Sequence, residues 1–117
     1  MDERALEIVT VDDEVQITEL IELFIKSVDR KSNIHSFNDP VAAREYLMDN
    51  PVDVLITDYK MPMVNGIDLL ESVPSHVKKV LISGYVSEIA QDRLERLNAV
   101  FFEKPVPMKE LRRAVFG

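Results

Sequence analysis

The chain has 117 residues, 46% hydrophobic and 30% charged, with three glycines and no cysteine; this suits one globular domain and excludes disulfides, thiolate metal sites and cysteine nucleophiles. Its 21 acidic against 14 basic side chains leave a formal charge of -7, which opposes counterion-release binding, so no direct nucleic-acid partner is expected. No apolar run approaches the roughly twenty residues of a membrane span, and the start "MDERALEIV" has acids where a secretory signal has a basic end, so a cytoplasmic chain is expected.

The first apolar run, Leu6 to Val11, reads as a buried strand. Ile17, Ile21, Phe24 and Val28 then fall on one helical stripe, opened by Asp13 and Gln16 in the manner of a capping box. A weaker strand follows at Asn33 to Phe37, and "NDPVAAREYL" starts a second helix with Asp39 as N-cap and Pro40 at the first helical position. Val52 to Thr57 is the next strand and Gly66 to Val73 the third helix. Val80 to Ser83 and Ala99 to Phe102 read as strands, with helices at Val86 to Leu97 and Pro107 to Phe116.

Five apolar strands alternating with five helices require cover on both faces of the sheet, which means parallel pairing through right-handed crossovers. The expected fold class is α/β, a doubly wound three-layer sandwich. No repeat, low-complexity tract or linker divides residues 1–117, so a single domain is expected, with any output domain on another chain or beyond residue 117.

In such sheets ligands gather beyond the carboxyl ends of the strands. Here those ends carry charge: "VDDE" supplies Asp12 and Asp13, "ITDYK" supplies Asp58, "ISG" supplies Ser83 and "EKP" supplies Lys104. Carboxylates gathered at ~4 Å repel by about 4 kcal/mol per pair at an effective dielectric near 20, so the cluster needs cations. Lys104 is one. An oxygen-only donor set suits a hard divalent ion, Mg2+ first, with Mn2+ able to substitute. Asp58 then reads as a carboxylate nucleophile for a phosphoryl group, with the ion, Lys104 and the Ser83 hydroxyl sharing the neutralisation of its oxygens.

The segments "VDDE", "ITDYKMPMVNG", "LISGY" and "FFEKP", in that order, make the chain resemble a response-regulator receiver domain over essentially its whole length. The resemblance implies a flavodoxin-like strand order 2-1-3-4-5. It implies that Asp58 accepts phosphate from the phosphohistidine of a sensor histidine kinase. Asp13, Asp58 and the backbone carbonyl of Lys60 would hold Mg2+, with Asp12 acting through water. Ser83 and Phe101 would switch the face of helix 4, strand 5 and helix 5 toward a downstream target protein or output domain; Phe101 lacks the hydroxyl of the commoner tyrosine. A cis peptide between Lys104 and Pro105 is also implied, with Val15 and Pro105 as kinase contacts and Lys60 and Tyr85 tuning the loss of the phosphoryl group.

Other readings have less support in the residues. A haloacid-dehalogenase-type phosphatase needs a second acid two residues after its nucleophile, where this chain has Lys60. No glycine-rich phosphate loop follows the first strand, which argues against a nucleotide or flavin binder. A purely structural docking module would take no phosphate at all. His35 on a peripheral strand, His76 in a loop and the scattered methionines read as ordinary packing or loop residues.

Overall fold

In a computed structural model, residues 5–84 and 91–117 are described. The elements run β1 (Glu7–Val11), α1 (Val15–Val28), β2 (Asn33–Phe37), α2 (Pro40–Asp49), β3 (Val54–Asp58), α3 (Gly66–Ser72), β4 (Lys78–Ser83), α4 (Gln91–Leu97), β5 (Val100–Glu103) and α5 (Met108–Phe116). The strands form one parallel sheet in the order β2-β1-β3-β4-β5. This is the doubly wound flavodoxin-like architecture that the alternation and the resemblance predict. The part of the fourth helix expected before Gln91, and Tyr85 with it, lies outside the described residues.

Every residue of β3 is buried, and its side chains alternate between two cores. Leu55 joins Val9, Val11, Ala43, Ile67, Leu70, Leu81 and Leu94 under α2, α3 and α4. Val54 and Ile56 join Ile8, Ile21, Ile25, Val80, Ile82, Leu111 and Val115 under α1 and α5. Each such side chain contributes about 1.5–3 kcal/mol when fully buried, so the two half-cores fix which face each helix covers. Of the stripe expected in α1, Ile21 is buried and Ile17 and Phe24 pack against the same cluster, whereas Val28 is half-buried outside it and Ile25, which the stripe did not include, is buried in it.

The boundaries differ from the pattern-based ones where charge hides a strand. β4 begins at Lys78, two residues before the apolar run, because Lys79 buries its stem and donates from Nζ to the Pro74 and Val77 carbonyls, both at 3.0 Å. At Asp39 the sequence reading holds: its Oδ1 accepts the Val41 N–H at 3.0 Å and Pro40 occupies the first helical position. The Asp13–Gln16 capping box does not form. Glu14 is the N-cap of α1, with no side-chain capping bond, because Asp12 Oδ1 accepts the Glu14 N–H at 2.9 Å and draws the loop toward the sheet.

The chain leaves β1 toward β2 on one side and crosses to β3 on the other. The strand order therefore reverses between β1 and β3, which opens a crevice at their carboxyl ends. Asp12 follows β1 directly and Asp58 ends β3. Among the described residues no helix is long and apolar enough to cross a membrane.

Candidate functional site

Asp12 and Asp58 are buried, at 2% and 6% exposure, and each carboxylate is held in the same way. One oxygen accepts a nearby backbone N–H: Asp12 Oδ1 that of Glu14 and Asp58 Oδ1 that of Tyr59, both at 2.9 Å. The other oxygen faces Lys104, whose Nζ lies 3.0 Å from Asp12 Oδ2 and 3.4 Å from Asp58 Oδ2. Lys104 is placed by the end of β5, where its N–H donates to the Ser83 carbonyl at 2.9 Å. Its peptide bond to Pro105 is cis.

Asp13 is exposed, yet its carboxylate joins the same group. One oxygen each from Asp12, Asp13 and Asp58 lies within 4.8 Å of the others. Lys104 Nζ meets Asp12, Asp58 and Glu14 at once, so several acids share its charge. Burial, then repulsion from Asp12, pushes the Asp58 carboxyl up to about 6 against the pull of Lys104. Burial also raises Asp12, although the Glu14 N–H and Lys104 work the other way. Burial would lower Lys104, but its contacts with Asp12, Asp58 and Glu14 outweigh that and hold it above the ordinary lysine value.

A cleft of about 880 Å3 opens over the group, lined by Asp13, Glu14, Asp58, Lys60, Pro62 and Lys104 among others. The donor set fits a hard divalent cation: the oxygens are close, crowded with negative charge and short of positive charge. Two features fix the backbone that follows Asp58. Gly66 starts α3 against the Asp58 backbone, and a Cβ there would stand 2.0 Å from the Asp58 carbonyl oxygen. Asn65 caps α3, its Oδ1 accepting the Asp68 N–H at 2.9 Å.

The strand ends thus bring together Asp12, Asp13, Asp58 and Lys104. Lys60 lines the cleft. Ser83 is fully buried at the end of β4, one register step beyond Ile82, the residue opposite Asp58. Phe101 is half-buried and packs against the core under α3 and α4. Val15 (49% exposed) and Pro105 are at the surface. His35 pairs with Glu7 at 3.1 Å on β2, and His76 lies in the loop before β4, so neither lines the cleft.

Glu14 is the residue the motif reading passed over: its Oε1 lies 3.2 Å from Lys104 Nζ. Its sequence signal was weak, since a glutamate ahead of an amphipathic helix is ordinarily a solvated end.

The chain is thus a doubly wound parallel α/β domain with an aspartate-lysine cluster at its topological switch point, the place where such sheets hold their ligands. Residues 8–116 match the family described as response regulator receiver domain, and the chain belongs to that family. It is 32% identical over 113 residues to the cyclic di-GMP phosphodiesterase response regulator RpfG of Xanthomonas campestris, covering 92% of this chain and 30% of that protein. It is 31% identical over 109 residues to the response regulator protein PilR of Pseudomonas aeruginosa, covering 90% of this chain and 24% of that one. The chain therefore spans less than a third of the length of these relatives. Among solved structures, a response regulator receiver protein from Pseudomonas putida superposes with a TM-score of 0.78 at 26% identity, over 98% of each chain.

Proposed function

We propose that residues 1–117 act as one phosphoacceptor receiver domain in which Asp58 takes a phosphoryl group from the phosphohistidine of a sensor histidine kinase. A carboxylate oxygen of Asp58 forms the new O–P bond as the N–P bond to histidine breaks, and the electron pair leaves with the imidazole. The observation that carries this reading is Lys104 Nζ lying within 3.4 Å of both Asp12 and Asp58, so a fixed cation stands where charge would accumulate.

Asp13, Asp58 and the Lys60 carbonyl would hold Mg2+, or Mn2+ in its place, with Asp12 acting through water; the ion neutralises phosphoryl oxygens when bound. The chain's own residues do the positioning. The Tyr59 N–H donates to one Asp58 oxygen at 2.9 Å, which helps orient the carboxylate. The buried Ser83 hydroxyl and the half-buried Phe101 supply the switch on the face of α4, β5 and α5 that reaches a downstream target or output domain. Val15 and Pro105 offer exposed contacts to the kinase. The setting is the cytoplasm, and the domain signals without being an enzyme acting on a separate substrate.

The test is incubation with acetyl phosphate and Mg2+ followed by intact-mass measurement. The chain should gain the mass of one phosphoryl group, Asp58→Asn should gain none, and chelation of the metal should suppress the gain. A folded wild-type chain that stays unmodified sinks the proposal.

A further inference from the structure

An ammonium has three N–H donors, and three carboxylates face that of Lys104: Asp12 at 3.0 Å, Glu14 at 3.2 Å and Asp58 at 3.4 Å. Among the described residues these three acids share the ammonium before any donor arrives, and its contact with Glu14 has hydrogen-bond geometry. As a donor approaches, its phosphoryl oxygens need this cation while the Asp58 carboxylate is still charged, so one existing contact has to be exchanged.

Burial decides which. The side chains of Asp12 and Asp58 are 3% and 7% exposed, and until the O–P bond forms leaving either unpaired strands a desolvated charge. Glu14 is 62% exposed, so water replaces the lysine there at little cost. The position also gives up something to make this contact. Glu14 is the N-cap of α1, yet its side chain makes no capping bond and instead reaches a residue 90 positions away in sequence.

We propose that Glu14 is a positioning residue for Lys104: it holds the ammonium in a parked contact that is traded for the phosphoryl oxygens, and so slows the loading of Asp58. The inference rests on Asp58 being the phosphoacceptor. An exposed ion pair of this kind contributes little, so releasing it should accelerate loading by roughly two- to fivefold.

Two variants test it. Glu14→Gln keeps the length and loses the charge. Glu14→Asp keeps the charge but is one methylene shorter, and an aspartate at an N-cap is drawn to the helix N–H groups and away from Lys104. Both should load faster than wild type with acetyl phosphate and saturating Mg2+, followed by intact mass. In the metal-free protein, the NMR signal of the Lys104 ammonium should move in both variants. Wild-type loading in Glu14→Asp with faster loading in Glu14→Gln would mean that negative charge at the mouth, not the contact, sets the rate, and would overturn the proposal. Unchanged or slower loading in both, or an unmoved ammonium signal, overturns it too. If the wild type takes no phosphoryl group, the phosphoacceptor reading fails with it; an ammonium signal that still moves would show the parked contact to be real and without that role.

Discussion

The carbonyl oxygen of Asp58 occupies the space where a side chain on Gly66 would stand: an ideal Cβ at Gly66 falls 2.0 Å from that oxygen and 2.8 Å from Leu81 Cδ1. The Gly66 N–H also donates to the Tyr59 carbonyl at 2.8 Å, so backbone meets backbone with nothing between them. The start of α3 is thereby fixed against the residue that would receive the phosphoryl group.

Gly66→Ala should therefore displace the Asp58 backbone or α3, at a cost of about 2–4 kcal/mol, in the range of overpacked interiors and broken backbone contacts. Urea unfolding measures the cost, and phosphoryl gain from acetyl phosphate should fall with it. Unchanged stability in Gly66→Ala would show that the close approach relaxes freely.

Asp58 gives a pH dependence with a definite sign. Its folded value of about 6 lies above the ordinary carboxylate value of 3.8, so the native state holds a proton that the unfolded state has lost in this window. Stability should fall as pH rises from about 4 to 6 and level off above, since the native state binds more protons there. Asp58→Asn removes the effect: it should exceed wild type by about 1–3 kcal/mol at pH 7.5 and converge with it near pH 4. Mg2+ should raise the melting temperature of wild type more than that of the variant. Parallel pH profiles would remove the claim.

Thr10 sits within β1 at 0% exposure, and its Oγ1 has no hydrogen-bond partner among the described residues. A buried hydroxyl without a partner carries an uncompensated desolvation cost, so Thr10→Val should stabilise the fold by about 1–2 kcal/mol. The denaturation midpoint should rise with an unchanged slope. A lower midpoint would mean that the hydroxyl contributes to the folded state.

Met63 adopts a left-handed backbone, with φ of 73°, while its side chain is 90% exposed. The left-handed region costs a residue with a Cβ about 1–2 kcal/mol, and asparagine tolerates it better. Met63→Asn should raise stability by about 0.5–1 kcal/mol, seen as a melting temperature a few degrees higher. No change would show that the surrounding loop carries no such strain.

The alternation of apolar strands and amphipathic helices was enough to read the fold class and the four strand ends, those of β1, β3, β4 and β5, that carry the candidate site residues. Period and burial follow directly from side-chain chemistry along a local segment. Where charge interrupts the pattern the reading slipped: Lys78 and Lys79 concealed the start of β4, because a lysine that satisfies its ammonium on main-chain carbonyls looks in sequence like a loop. Asp13 looked like a helix cap because three-residue spacing to Gln16 is a local signal, whereas the Asp12 turn that shifts the cap to Glu14 depends on the sheet beside it.

The order of segments by itself determined that acidic and basic groups end successive strands, since a parallel sheet sends all its carboxyl ends to one rim. Tertiary structure alone decided how those groups share their charge. That Lys104 meets Asp12, Asp58 and Glu14 together, and that the first two are buried while the third meets water, depends on the register of β1, β3 and β5 and on the low dielectric they enclose. Spacing along a chain carries neither quantity, because desolvation and Coulomb attraction depend on distances through space.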